Sequence, residues 1–239
     1  TIVLGAQTLH AVGYAMGVVR DGVVGTGDLS RDTAVLAFFG DGASSQGDVN
    51  EAFIWAAAAN LPVVFYCQNN QWAISEPLER QTRVPLFHRA AGFGFPGIRI
   101  DGNDVLACLA VTRVALDEAR SGQGPTLIEA YTYRMAAHTT SDDPTRYRLS
   151  DELETWRLRD PIERLRAYLI REAGVGHDFF EEIDAESEAL AVRIRAGCRA
   201  LADPEPLSPF DQVYCEITEE LAEQKADFTS YLESFEGAS

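Results

Sequence analysis

The stretch that decides the fold reads Phe38-Phe39-Gly40-Asp41-Gly42-Ala43-Ser44-Ser45-Gln46-Gly47-Asp48, and a second apolar run follows it as Val63-Val64-Phe65-Tyr66-Cys67-Gln68-Asn69-Asn70-Gln71-Trp72. Residues 34–39 are apolar and lead into two glycines, which allow the backbone to approach a ligand closely, and Asp41 lies between them. Apolar residues recur at helical spacing over 48–59, and a proline ends that pattern before the second run. The pattern predicts a strand, a crossover helix and a second, parallel strand.

Both predicted strands end in polar residues. The 26 residues between Gly42 and Asn69 (43 to 68) suit one right-handed crossover, which places the two strand ends side by side at the edge where α/β sheets bind ligands. The Asp41 carboxylate, an amide oxygen of Asn70 and free loop carbonyls are hard oxygen ligands with too little charge for a calcium site. We therefore expect a magnesium ion that also holds a phosphate group. Taken singly, Gly-Asp-Gly and Asn-Asn are common turn sequences.

The chain around this motif continues the alternation of helices and strands. A helix is predicted over 4–20, a third strand over 97–102, a helix capped by Asn103 or Asp104, and a fourth strand over 126–134. Such alternation is typical of an α/β protein with a doubly wound, mostly parallel sheet. The two motif strands are apolar on both faces, so we expect both in central positions.

Beyond residue 150 the sequence predicts helices without strands. Pro161 suits the first turn of one helix, and two longer helices are predicted over 179–201 and 209–235. We expect residues 1–150 to form the α/β module that carries the phosphate and magnesium site. Residues 151–239 are expected to form a helical extension packed on that module as one structural unit.

Composition excludes several classes of partner. The formal net charge of the 239 residues is −17, which argues against nucleic acid, because phosphate backbones are bound by clustered Lys and Arg. No stretch approaches the ~20 apolar residues of a membrane-spanning helix, so no membrane partner is expected. Four widely spaced cysteines predict buried free thiols in a reducing compartment. Since the chain begins with Thr1 rather than Met, we expect a fragment or a processed product.

The fourth predicted strand leads into a polar loop over 135–148 that contains His138. We expect this loop to lie over the same edge as Asp41 and Asn70, with His138 as an acid or hydrogen-bond donor. Alternatively, His138 only caps the strand and the neighbouring aspartates face solvent.

These motifs resemble a known family. Gly40-Asp41-Gly42 followed by Asn69-Asn70 resembles the signature of thiamine diphosphate enzymes, which hold the diphosphate through magnesium. Further segments are similar to the alpha subunit of 2-oxo acid dehydrogenase E1 components, of branched-chain or pyruvate type. They are Arg99-Ile100-Asp101-Gly102-Asn103-Asp104, Ile128-Glu129-Ala130-Tyr131-Thr132-Tyr133-Arg134, His138-Thr139-Thr140-Ser141-Asp142-Asp143, Tyr147-Arg148 and Asp160-Pro161-Ile162. The resemblance covers nearly the whole chain and implies the thiamine diphosphate-binding fold.

The resemblance also implies roles for individual residues. The Asp41 carboxylate, the Asn70 amide oxygen and the Trp72 main-chain carbonyl would ligate Mg²⁺, while His138 would meet the thiazolium and the bound acyl intermediate. The backbone amides of Gly42 and Ala43 would face the diphosphate. The full cofactor-binding set expected on this basis is Gly40, Asp41, Gly42, Ala43, Gln68, Asn70 and His138.

The loop around His138 has implied roles as well. Arg134, Asp142, Tyr147 and Arg148 would order it for docking of an acyl-carrier domain. Thr139 stands where some relatives carry a regulatory phosphoserine.

The activity implied by the resemblance is oxidative decarboxylation of a 2-oxo acid, with transfer of the acyl group to the lipoyl group of an E2 acyltransferase. The implied partners are an E1 beta subunit, in an alpha2beta2 heterotetramer, and the E2 component of a multienzyme complex. The carboxylate that activates the aminopyrimidine is expected on the beta subunit, and the implied location is the bacterial cytoplasm or the mitochondrial matrix of a eukaryote. Two alternatives stay open: an acetoin dehydrogenase alpha subunit, or a non-catalytic scaffold subunit of the same fold.

Some positions depart from the family pattern. Branched-chain relatives usually carry Glu, Arg and Tyr at the positions of Asp41, Gln68 and Trp72, and a second His at Ala137. The carboxylate is kept and Trp72 would use only its backbone, so the metal ligands survive, whereas Gln68 removes a cationic contact to phosphate. The Tyr-Arg pair that binds diphosphate in these relatives corresponds to positions before Thr1, so we expect that segment to be absent from this chain.

Overall fold

The computed structural model describes residues 3–28 and 30–236, and a four-stranded parallel sheet lies at its centre. The strands in chain order are β1 (Val35–Gly40), β2 (Val63–Asn69), β3 (Trp72–Ala73), β4 (Glu76–Pro77), β5 (Gly97–Asp101) and β6 (Thr126–Tyr131). The main sheet has the order β1-β2-β6-β5 with all pairs parallel, and β3 and β4 form a separate antiparallel hairpin. The predicted α/β class with a parallel sheet is confirmed.

Helices connect and follow these strands. They are α1 (Ala6–Arg20), α2 (Gly47–Ala58), α3 (Leu78–Gln81), α4 (His88–Phe93), α5 (Val105–Arg120), α6 (Ser150–Arg157), α7 (Pro161–Ala173), α8 (His177–Ala200) and α9 (Glu219–Glu236). Within the described ranges no helix is long and apolar enough to cross a membrane. All four cysteines are free thiols, as predicted, but the expectation that they are buried was wrong for three of them: Cys67 is buried, Cys108 is partly buried, and Cys198 and Cys215 are exposed on helix α8 and in the segment before α9.

The chain divides into two compact units, one ending at Gly174 and the other beginning at Val175. The first contains the sheet and the helices up to α7. The second contains α8 and α9, and an ion pair between Lys225 and Asp211 ties α9 to the preceding segment. The predicted grouping of 1–150 and 151–239 stays a prediction.

Both faces of the sheet are covered by helices. The side chains of β2 alternate between the faces, so Phe65 joins Val12 of α1 and Phe53 of α2 in the larger core cluster. Val64 points the other way and packs with Ala115 of α5. The strand is therefore buried on both sides, as its continuous apolar run predicts.

The position expected for β1 was wrong. It forms the edge of the sheet in the described part of the chain, and Phe38 is 58% exposed while its ring lies 5.1 Å from that of Tyr66. Ala37 and Phe39 on the opposite face are buried in the larger core cluster. An apolar run indicates that helices can pack on the faces of a strand, but it does not distinguish an edge strand from a central one.

Several boundaries also differ from those predicted. β6 ends at Tyr131 rather than 134, because β2 ends at Asn69: the Thr132 N–H donates to the carbonyl of that last strand residue, and the Arg134 N–H donates to the carbonyl of Asn70 in the turn beyond it. The helix predicted from 209 begins at Glu219 and is preceded by a short 3₁₀ turn over 208–211. Of the two predicted caps of α5, Asp104 is the one whose carboxylate accepts from the first amides of the helix.

Candidate functional site

The two predicted loop ends meet at the carboxyl edge of the sheet. Asp41 directly follows β1 and is 1% exposed, and Asn70 directly follows β2. The Asn70 backbone N–H donates to Asp41 Oδ1 at 3.3 Å, and Gln81 Nε2 donates to Asp41 Oδ2 at 3.1 Å. The parallel register of β1 and β2 produces this meeting, because it sets Gly40 opposite Gln68.

The Asp41 carboxylate is poorly solvated. Burial raises its pKa, and the hydrogen bonds from Gln81 and from the backbone offset this rise only in part. Its hydrogen-bond donors among the described residues are neutral amides rather than a cation. The charge of Arg134 also lowers the pKa of Asp41, but it is the smallest of these contributions. A desolvated carboxylate whose hydrogen bonds come from neutral amides favours a bound cation, which would lower the free energy of its ionised form.

Asn70 and Trp72 supply the remaining predicted metal ligands. Gln71 has a φ of 69°, a tight turn that lets Asn70 Oδ1 accept from the Trp72 N–H at 3.1 Å. The Trp72 carbonyl accepts from Arg134 Nη1 at 3.5 Å. Trp72 itself is buried with Tyr133 and Trp156, so its backbone is held by a packed aromatic cluster.

The donor set fits magnesium. Across 3–28 and 30–236, no group of three or more His, Cys, Asp or Glu side chains could hold a metal ion. Asp41, Asn70 and Trp72 instead offer one carboxylate and two neutral oxygens, a set that holds Mg²⁺ when phosphate oxygens complete the coordination.

A short 3₁₀ turn over Gly42–Ser45 follows Asp41. A Cβ added to Gly42 would lie 2.9 Å from the Cβ of Ala73, so only glycine fits this close approach. Arg89 Nη1 donates to the Ser44 carbonyl at 2.6 Å and holds the turn from outside. Ala43, the second residue predicted to face a diphosphate, is buried in the same turn.

The other two predicted site residues are exposed. Gln68 lies at the end of β2, beside Gly40. His138 lies on the loop after β6, and in the described residues its side chain forms no hydrogen bond with Asp41, Asn70 or Trp72. The structure thus brings together the predicted metal ligands but not His138.

The His138 loop is nevertheless anchored to the hairpin that begins at Trp72. Asp142 Oδ2 accepts from the His138 N–H at 2.8 Å and from the Tyr147 hydroxyl at 2.6 Å. The bond from Tyr147, followed by that from His138, lowers the pKa of Asp142. Arg134 Nη2 donates both to the Tyr147 hydroxyl at 2.8 Å and to the Ile74 carbonyl at 2.6 Å, which joins the loop to the hairpin.

Sequence reasoning missed Glu129, a carboxylate at 0% exposure in the middle of β6. Its Oε1 accepts from Asn69 Nδ2 at 2.6 Å and its Oε2 from the Phe87 N–H at 2.9 Å. Asn69 Oδ1 in turn accepts from the Gln71 N–H, so Glu129 braces the loop that carries Asn70. The available signal was a single carboxylate within an otherwise apolar central strand.

Comparison with known proteins agrees with this geometry. Residues 1–195 match the dehydrogenase E1 component family. The chain is 46% identical over 233 residues to the 3-methyl-2-oxobutanoate dehydrogenase subunit alpha of Mycobacterium tuberculosis, covering 97% of this chain and 61% of the relative. It is 38% identical over 239 residues to the pyruvate dehydrogenase E1 component subunit alpha of Acholeplasma laidlawii, covering 97% of this chain and 66% of the relative. The subunit of the same name from Staphylococcus aureus is 38% identical to this chain over 228 residues, covering 93% of this chain and 59% of the relative.

The chain therefore spans about three fifths of the length of these relatives, 61% in the first case. The resemblance noted from the motifs, to alpha subunits of E1 components, is confirmed at the level of the family. This chain belongs to the dehydrogenase E1 component family.

Proposed function

We propose that this chain is the alpha subunit, or part of it, of a 2-oxo acid dehydrogenase E1 component that oxidatively decarboxylates a branched-chain 2-oxo acid. The observation that carries the proposal is the meeting of Asp41 and Asn70 at the carboxyl edge of two parallel strands. The Asn70 backbone nitrogen lies 3.3 Å from Asp41 Oδ1. The 46% identity to a 3-methyl-2-oxobutanoate dehydrogenase subunit favours a branched-chain substrate. Pyruvate is the second candidate, since relatives named for it are 38% identical.

The cofactor proposed for this site is thiamine diphosphate with Mg²⁺. Asp41, Asn70 and the Trp72 carbonyl would hold the ion, and the backbone of the turn after Asp41 would face the diphosphate. Gly40 and Gln68 would flank it at the strand ends. When bound, the cofactor supplies the carbon nucleophile and the electron sink that decarboxylation of a 2-oxo acid requires.

His138 is proposed as the side chain that donates a hydrogen bond or a proton to the oxyanion that develops on the substrate. Asp142, through its bond to the His138 N–H, holds the loop in one conformation. An aspartate is ionised at neutral pH, and the lowered pKa of Asp142 extends the range of this contact toward more acidic pH.

The remaining parts of the proposal concern the assembly. The sheet would be the diphosphate-binding module of the doubly wound thiamine diphosphate-binding fold. An E1 beta subunit would complete the site in an alpha2beta2 heterotetramer, and the lipoyl group of an E2 acyltransferase would accept the acyl product. Bacterial relatives favour a cytoplasmic location.

The proposal is tested with the protein reconstituted with its beta subunit, supplied with thiamine diphosphate, Mg²⁺ and an artificial electron acceptor. We expect reduction of the acceptor with 3-methyl-2-oxobutanoate in preference to pyruvate and acetoin, and loss of activity when Mg²⁺ is chelated. Turnover of acetoin alone would assign the alternative substrate class. Activity that is independent of the cofactor, or none with any 2-oxo acid, would refute the proposal.

A further inference from the structure

Gln81, the last residue of α3, touches a predicted metal ligand that the sequence did not connect with it. Its Nε2 donates to Asp41 Oδ2 at 3.1 Å. A carboxylate at this position accepts hydrogen bonds, so the amino group of the amide faces Asp41 and Oε1 faces away from it.

Gln81 Oε1 is buried and accepts no hydrogen bond in the described part of the chain. A Cβ added to Gly42 would lie 4.0 Å from it, so the amide lies against the turn that follows Asp41. Buried amide oxygens normally accept a hydrogen bond, so the donor to Gln81 Oε1 is expected to be a water or a bound ligand rather than a protein group.

The chemistry of the site limits what that donor can be. A diphosphate oxygen accepts hydrogen bonds and cannot satisfy another acceptor. Magnesium gives up its water reluctantly and keeps water ligands in most protein sites, and the cation makes such a water a strong donor. A water on an ion held by Asp41 is therefore the matching donor for Gln81 Oε1.

Gln81 also links the two loops that carry the predicted metal ligands, the one with Asp41 and the one with Asn70 and Trp72. α3 begins immediately after the β3–β4 hairpin, and the Leu78 N–H donates to the Gln71 carbonyl at 3.0 Å. The segment from Trp72 to Gln81 thus begins at one predicted metal ligand and contacts another, Asp41, through the Gln81 side chain.

We propose that Gln81 is a positioning residue of the magnesium site, holding Asp41 through Nε2 and a water of the hydrated ion through Oε1. The inference rests on the proposed function, because it requires that Asp41 ligate Mg²⁺. Partners of metal ligands of this kind typically change metal affinity by about 10–100-fold.

The test compares Gln81→Leu with the wild type in the reconstituted complex. We expect the Mg²⁺ concentration needed for thiamine diphosphate binding, measured by calorimetry, to rise about 10-fold or more. With Mn²⁺ in place of Mg²⁺, ¹⁷O relaxation is expected to show faster exchange of metal-bound water. Gln123→Leu, at an exposed glutamine in the same unit, is the matched control and should change neither quantity.

The outcomes separate this inference from the proposed function. Unchanged Mg²⁺ affinity and water exchange in Gln81→Leu, while Asp41→Asn abolishes binding, would overturn the role of Gln81 alone. Normal Mg²⁺ binding by Asp41→Asn would overturn the proposed site itself.

If Gln81→Leu does not fold, Gln81→Met preserves the unbranched shape and carries the same expectation. A loss of metal-free stability in both variants without a change in Mg²⁺ affinity would mean a purely structural role and would also overturn the inference.

Discussion

Replacing Glu129 tests whether the site is braced from inside the sheet. The carboxylate is at 0% exposure and accepts from two donors, Asn69 Nδ2 at 2.6 Å and the Phe87 N–H at 2.9 Å. Glu129→Ala leaves both donors without an acceptor, the Asn69 amide in a fully buried position and the Phe87 N–H in a partly buried one. At about 1.5–3 kcal/mol for each hydrogen bond to a charged group, the two bonds amount to ~3–6 kcal/mol.

Glu129→Gln is the milder change at this position. Its amide keeps one acceptor and turns an N–H group toward the second donor, so the expected loss is about half, ~1.5–3 kcal/mol. Arg99, whose Nε lies 3.9 Å from Glu129 Oε1, also loses a charged neighbour. The expected order of stability is wild type, then Glu129→Gln, then Glu129→Ala.

Urea unfolding followed by tryptophan fluorescence measures this loss. All three tryptophans, at 55, 72 and 156, lie in the unit that ends at Gly174, so the signal reports on the unit that contains Glu129. The unfolding midpoint should fall with little change in the slope. Glu118→Gln, at an exposed position, is the control and should stay within ~0.5 kcal/mol of the wild type. A Glu129→Gln variant equally close to the wild type would refute the bracing role.

Three further predictions concern Asp41, Gly42 and His138. Asp41→Asn should abolish Mg²⁺-dependent cofactor binding in calorimetry, yet raise the melting temperature of the cofactor-free protein at neutral pH. The reason is that burial raises the pKa of Asp41, so the wild type loses stability as pH rises through that pKa. The Asn amide N–H costs no hydrogen bond here, because the Gln81 amide can turn so that its Oε1 accepts from it. The gain should vanish in acid, and a lower melting temperature at neutral pH would contradict this. Gly42→Ala should weaken Mg²⁺ binding through the 2.9 Å contact with the Ala73 Cβ, and Ala73→Gly should restore it; no rescue would mean that the contact is not the cause. His138→Ala, on an exposed loop, should spare cofactor binding and lower turnover in steady-state assays, whereas wild-type turnover would leave His138 with a structural role.

The core of the site could be predicted from the sequence because it depends on local patterns. Apolar runs, helical spacing and a proline define the strand, helix and strand of the motif, and parallel pairing then brings Asp41 beside Asn70. The length of the crossover is enough to place the two strand ends side by side.

The supporting residues could not be predicted in this way. Gln81 belongs to a stretch without a clear period, and its place depends on a hairpin of two-residue strands that is fixed by tertiary contacts. Glu129 breaks the apolar pattern of β6, but nothing in the pattern indicates that Asn69 and Phe87 become its donors. The edge position of β1 was missed because an apolar run does not distinguish an edge strand from a central one.

The central claim is that a single divalent cation joins the two loop ends. Mn²⁺ takes the same oxygen ligands as Mg²⁺ and scatters anomalously, so crystals of the reconstituted complex grown with Mn²⁺ and thiamine diphosphate locate the ion directly. The account predicts an anomalous peak about 2 Å from an Asp41 carboxylate oxygen, Asn70 Oδ1 and the Trp72 carbonyl. A peak coordinated by other residues, or cofactor bound with no ion at these three oxygens, would contradict it.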